Sequence, residues 1–178
     1  MATLKQIKGT AIQFVDSDPV VNVGTWASGG ALNVGGIFGT SNGMGTQTAG
    51  LVGARLQEAG PSPGQKVNTE AYNGSSWTEL NDMNTGRNAA AVGGTQTTAL
   101  HAGGHGNITA VTESWNGTSW TEVNNLNTGR RNIGSAGSVY TASLCIGGKS
   151  APSPVHAAVE KWDGTNWTEL AELNTARN

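Results

Sequence analysis

One phrase is written three times in this chain, and it constrains the fold more than any single residue. Residues 70–80 read Glu-Ala-Tyr-Asn-Gly-Ser-Ser-Trp-Thr-Glu-Leu, residues 113–123 read Glu-Ser-Trp-Asn-Gly-Thr-Ser-Trp-Thr-Glu-Val, and residues 160–170 read Glu-Lys-Trp-Asp-Gly-Thr-Asn-Trp-Thr-Glu-Leu. The second tryptophan of each copy is Trp77, Trp120 and Trp167, 43 and then 47 residues apart. A period of that length belongs to a propeller blade or a solenoid unit, each of which buries its apolar face only by stacking on a neighbour.

Each phrase parses as a β-hairpin. Asn73-Gly74, Asn116-Gly117 and Asp163-Gly164 are dipeptides that supply positive φ in tight hairpin turns. Aromatic residues and threonine flank them, and these suit a pleated, half-buried surface. A second shared stretch follows: Met83-Asn84-Thr85-Gly86-Arg87, Leu126-Asn127-Thr128-Gly129-Arg130 and Leu173-Asn174-Thr175-Ala176-Arg177. It reads as a polar connection with one apolar anchor and one arginine. Then come two short apolar segments, 89–94 with 98–104 in one copy and 133–138 with 140–148 in the next. The second segment ends in Gly103-Gly104 or Gly147-Gly148. Small side chains in a strand mark close approach of neighbouring backbone. The unit is therefore four strands, the innermost built of small residues. With 27 glycines and 12% charged residues, short strands joined by tight turns are favoured over helices or a solvated disordered chain.

The N-terminal part fits a weaker first copy. Residues 46–51 echo 95–100, Ala54-Arg55 stand where the glycine pair is expected, and the inner strand is expected at about 30–39. The expected organisation is a docking segment over 1–22, blades at about 23–82, 83–125 and 126–173, and the start of a further strand at 174–178.

The glycine pair, a strand with glutamate and an aromatic, the later tryptophan, and an apolar residue shortly before arginine resemble the kelch repeat. In the middle copy these are Met83, Arg87, Gly103-Gly104, Glu113, Trp115 and Trp120. The resemblance covers residues 46 to 178. It implies an all-β fold of kelch-like β-propeller blades, about three four-stranded blades in this chain. Propellers close with four to eight blades, so the ring is expected to be completed by further sequence or by other chains, which makes a homo-oligomer an expectation. The resemblance carries structural roles for Gly103, Gly104, Gly147, Gly148, Trp77, Trp120 and Trp167. It carries the same for Arg87, Arg130 and Arg177, whose natural partners are Glu70, Glu113 and Glu160.

The wording of the copies is also similar to Trp-Asn-Gly-Thr-Ser-Trp-Thr-Glu-Val repeats in structural proteins of marine tailed bacteriophages. The opening residues 4–13 with Ser17-Asp18-Pro19 are similar to the N-termini of such proteins. That resemblance implies a non-enzymatic virion component of the tail or capsid surface, docked through its N-terminus to other virion proteins. The alternative is a glycan-binding module for host-surface recognition, with tryptophans stacking on sugar rings. Identical placement in every copy favours core packing for the tryptophans. Blade-specific loops are the better contact candidates: 58–66 with Pro61 and Pro63, 105–109 with His105 and Asn107, and 149–156 with Pro152 and Pro154.

Other chemistry is weakly supported. A net charge of −2 gives no electrostatic basis for binding nucleic acid, and no apolar run is long enough to span a bilayer. Some kelch-type propellers are copper oxidases. The corresponding residue types here are His101, His105, His156, Cys145, Tyr72 and Tyr140, but their spacing makes no metal-ligand motif. No cofactor and no metal site is expected. The lone Cys145, in an apolar run, reads as a buried inert thiol.

Overall fold

The computed structural model describes residues 29–37, 43–57, 64–106, 108–150 and 154–178. Among them the fold is all-β, without a helix, in three four-stranded antiparallel sheets. The first sheet contains β1 (Gly43–Thr46), β2 (Ala49–Gln57), β3 (Gly64–Tyr72) and β4 (Trp77–Leu80). The second contains β5 (Ala91–Gly94), β6 (Ala99–Ala102), β7 (Thr112–Trp115) and β8 (Trp120–Val123). The third contains β9 (Gly134–Ala136), β10 (Leu144–Ile146), β11 (Val159–Trp162) and β12 (Trp167–Glu169). Strands neighbour one another in chain order within each sheet. Between sheets, β5 lies beside β1 on one side and β9 on the other, and the described residues do not close into a ring.

The three sheets share one register. Val52 pairs with Glu70, His101 with Glu113 and Cys145 with Glu160, so these residues hold equivalent places. Tyr72 faces Trp77 across the outer hairpin, as Trp115 faces Trp120 and Trp162 faces Trp167. Each of these connections spans four residues and departs from the two-residue turn that the Asn-Gly pairs suggest. Asn73 Oδ1 accepts the N–H groups of Ser75 and Ser76 at 2.9 Å each, and Asn116 and Asp163 do the same in their turns. Only the following glycine takes positive φ, between 94° and 101° in the three copies. The Asn or Asp thus works as a side-chain acceptor that replaces a turn of backbone. These backbone N–H donors hold the exposed Asp163 carboxyl below its usual range.

Two expected boundaries are corrected. The first inner strand is β1 at Gly43–Thr46, not 30–39. Residues 33–36 instead form the polar connection that leads into a sheet, in phase with 84–87, and of the described residues 30–37 Ile37 alone makes a bridge, to Leu56. Residues 64–66 of the loop expected at 58–66 belong to β3.

The core lies between sheets. One cluster joins Met44, Leu51 and Ala54 of the first sheet to Val92, Ala99, Trp115 and Trp120 of the second, with Met83 from the connection. The next joins Leu100 and Ala102 of the second sheet to Cys145, Trp162 and Trp167 of the third, with Leu126 and Ile133. Among the described residues the second sheet therefore gives one face to the first sheet and the other to the third.

Candidate functional site

The groups with the strongest chemistry sit at the junctions between sheets. Glu113 is fully buried on β7 and is held from four directions by the connection before its sheet. Asn84 gives its backbone N–H to Oε2 at 2.8 Å and its Nδ2 at 2.9 Å; Thr85 N–H reaches Oε1 at 3.2 Å, and Arg87 reaches Oε1 at 2.6 Å. The next junction repeats this. Asn127 N–H and Nδ2 donate to Glu160 Oε2 at 2.8 and 3.0 Å, and Arg130 donates to Oε1 at 2.6 Å. A carboxylate taken out of water needs this many charge-assisted donors to offset its desolvation. Burial pulls the Arg87 guanidinium below its ordinary value, and the adjacent Glu113 opposes that shift.

The first sheet builds the same clamp from different residues. Asn33 N–H and Nδ2 donate to Glu70 Oε2 at 2.7 and 3.0 Å, and Val34 N–H donates to Oε1 at 3.1 Å. Gly36 then stands where Arg87 is expected, and the cation comes from β2: Arg55 lies 3.2 Å from Glu70 Oε1, both side chains fully buried. The exchange is reciprocal. Arg55 occupies the place of Gly104, where a Cβ would lie 3.4 Å from Arg87 Cδ, while a Cβ on Gly36 would lie 2.7 Å from Arg55 Cδ. One guanidinium fits each clamp, from either side, and a glycine vacates the other side. Ala54 keeps the left-handed backbone of Gly103 and Gly147, with φ of 51° against 66° and 63°. Arg55→Gly alone is expected to cost about 3–5 kcal/mol, the range for breaking a buried pair. Gly36→Arg combined with Arg55→Gly is expected to recover at least half of that loss in chemical denaturation; an additive double variant would contradict the exchange.

The indoles occupy a second repeated seat. Trp120 Nε1 crosses to the first sheet and donates to Thr69 Oγ1 at 2.8 Å, and Trp167 Nε1 crosses to the second sheet and donates to Thr112 Oγ1 at 3.1 Å. Gly53 leaves room beneath the first indole, since a Cβ there would lie 3.3 Å from the Trp120 ring. Asn81 Nδ2 reaches across to Thr118 O at 2.8 Å, and Asn124 Nδ2 to Thr165 O at 3.0 Å. Trp77, on the first sheet, is half-buried and packs against Tyr72 with ring centroids 5.0 Å apart.

The remaining candidates are dispersed. His101 is fully buried; Arg87 Nε donates to its Nδ1 at 3.2 Å, which places the imidazole proton on Nε2. Its ring stands edge-on to Trp120. Burial first, and the Arg87 charge second, push its pKa well below 6.5. The folded protein thus keeps His101 neutral while the unfolded chain protonates it as pH falls through about 6.5. Stability is expected to be level in this term above pH 6.5 and to decline below it, by up to about 1.4 kcal/mol per pH unit. His101→Cys, which copies the third sheet, should flatten the slope between pH 6.5 and 5 in urea titrations.

His105 Nδ1 lies 3.3 Å from Gln65 Nε2, and His156 Nε2 lies 2.6 Å from Ser150 Oγ. Pro154 is exposed, and its carbonyl accepts the Ser150 N–H. Pro61, Pro63, Asn107 and Pro152 lie outside the described residues, as does the segment 1–22 expected to dock. Cys145 is buried, and burial raises its thiol far above the ordinary range. No group of three or more His, Cys, Asp or Glu suited to a metal ion occurs among the described residues. Gly147 and Gly148 are buried like Gly103 and Gly104, and the backbone N–H groups of Gly104 and Gly148 bond the carbonyls of Arg130 and Arg177, 2.8 Å each. Arg177 itself is exposed; its Nε bonds Thr175 O at 3.3 Å, and it has no carboxylate partner among the described residues. Arg55 and the crossing asparagines were not expected from the sequence. The loss of the glycine pair at Ala54-Arg55 is the visible trace of the Arg55 exchange.

No protein-family model matches this sequence, and no curated protein matches it as a relative.

Proposed function

We propose that this chain is a non-enzymatic structural and interaction protein of a tailed-bacteriophage particle, its three sheets being kelch-type propeller blades. The observation that carries the reading is the reuse of one set of residues in successive sheets. At equivalent places the asparagine and arginine of a connection bind the glutamate of the sheet that follows, and a tryptophan binds a threonine of the sheet before. Side chains engaged in this way hold sheets in fixed relation, a mechanical role. The blade reading draws on the neighbouring first strands β1, β5 and β9, with the outer hairpins at the far side of each sheet. The phage assignment rests on the wording of the repeats and of residues 4–19.

In this reading residues 1–22 dock the protein to the particle, and the sheets project for contacts. Deleting 1–22 is expected to leave a folded protein that no longer copurifies with particles; full incorporation of the shortened protein would contradict the assignment. The alternative sugar-stacking module needs exposed rings. Trp115, Trp120, Trp162 and Trp167 are buried, and Tyr72–Trp77 is the one partly exposed pair among the described residues.

A further inference from the structure

One pair of positions escapes the repetition. In each sheet an antiparallel bridge ties the leading connection to the chain at or just past the end of the second strand. Its two residues differ in kind from sheet to sheet: Ile37 with Leu56, Asn88 with His105, Arg131 with Lys149. The arginine before each of the last two bridges is copied, as Arg87 and Arg130, and so is the glycine pair before the partner, as Gly103-Gly104 and Gly147-Gly148. The residues that lock the sheets are therefore repeated, while the bridged pair changes. A position that varies within a copied frame is free to carry contacts of its own.

The third bridge sets two cations directly opposite one another. Arg131 N–H donates to Lys149 O and Lys149 N–H to Arg131 O, both at 2.9 Å, so the two side chains leave the same face. Like charges so placed repel. Both residues are half-buried, and Arg131 Nε lies out of solvent without an acceptor among the described residues. Neither has a carboxylate partner there. Glu70, Glu113 and Glu160 are each taken by another arginine, and the other described carboxylates stand on the outer hairpins or just after them. Lys149 is bridged on its other side to Val155, 37% exposed, which adds an aliphatic flank. The fold does not require this charge, since the same bridge closes with Ile37 and Leu56 and with Asn88 and His105.

We propose that Arg131 and Lys149 form a binding site for an oxyanion, a carboxylate, sulfate or phosphate group carried on a small organic body that rests against Val155. An anion between the two cations turns their repulsion into charge-assisted contacts: the arginine fork grips two oxygens and the ammonium adds a point charge. The backbone bridge fixes the separation of the two stems, so less order is lost on binding. The corresponding pairs of the first and second sheets hold no arginine or lysine, which confines the site to the third sheet. The proposal deepens the interaction role stated above by naming a ligand class, and it rests on that role.

The test uses the full isotope-labelled chain, titrated at constant ionic strength with sodium sulfate, sodium phosphate or sodium galacturonate in place of sodium chloride. Saturable shifts of the Arg131 and Lys149 amide signals are expected with at least one of the three, and the anion that saturates first tells which oxyanion the site takes. Arg131→Gln and Lys149→Gln should each weaken that binding about tenfold, the loss of one charge-assisted contact. In chloride alone both variants should unfold at the parent's temperature or above it, since each removes a repulsion. Lys161→Gln, at an exposed lysine on β11, should bind like the parent. Shifts that stay linear in concentration with all three anions would overturn the proposal. So would unchanged affinity in either bridge variant, or equal weakening in Lys161→Gln. Particle association of the 1–22 deletion is read separately, so the anion site and the virion role can fail independently.

Discussion

Glu113→Ala is expected to lower the unfolding free energy by about 3–5 kcal/mol, the cost of leaving a buried guanidinium without its counter-ion. The carboxylate accepts from Asn84, Thr85 and Arg87 within 3.2 Å, and its side chain is fully buried. Removing it strands the Arg87 guanidinium and the two backbone N–H groups of the connection together. Arg87→Ala should cost a similar amount, from the opposite side of the same pair. The double variant Glu113→Ala/Arg87→Ala should cost clearly less than the sum, because each single variant already forfeits the pair. Glu122, exposed on β8, provides the control: its alanine variant should stay within about 0.5 kcal/mol of the parent. Urea unfolding followed by tryptophan fluorescence reads all four.

Trp120→Ala is expected to cost about 3–5 kcal/mol, as for other large-to-small core substitutions. The indole is 5% exposed, lies over Gly53 and joins the first two sheets. Its removal opens a cavity between sheets and leaves Thr69 Oγ1 without its donor. Trp120→Phe should recover part of the loss, since the ring is kept and only the N–H is missing. Trp77→Ala, at the equivalent place on a half-buried ring, should cost markedly less. Equal losses at Trp77 and Trp120 would mean that burial between sheets is not what the indole contributes.

Much of the local structure was legible because turn and strand chemistry are local. The repeated Asn-Gly and Asp-Gly pairs marked three hairpins, and three hairpins stand at those places. The small-residue runs ending in Gly103-Gly104 and Gly147-Gly148 marked β5, β6, β9 and β10. The turn type was not legible, because an asparagine oxygen capping two N–H groups and an asparagine at positive φ leave the same letters in the sequence. The first inner strand was misplaced for a related reason. Residues 30–39 are rich in glycine like an inner strand, but Asn33 and Val34 are committed to Glu70, a contact 37 and 36 residues away.

The clamp was half visible. Arg87 with Glu113 and Arg130 with Glu160 follow the expected pairing of repeat arginines with repeat glutamates. Glu70 takes Arg55 instead, because the clamp has room for one guanidinium and accepts it from the connection or from the strand. Arg177 has no carboxylate partner among the described residues.

Indoles seated on the preceding sheet lock successive sheets together. Isotope-edited NMR of the indole N–H groups checks this: cross-peaks are expected from the Trp120 Nε1 proton to Thr69 and from the Trp167 Nε1 proton to Thr112, with both protons exchanging with solvent far more slowly than that of Trp77. Rapid exchange at Trp120 and Trp167, with no cross-peak to either threonine, would contradict it.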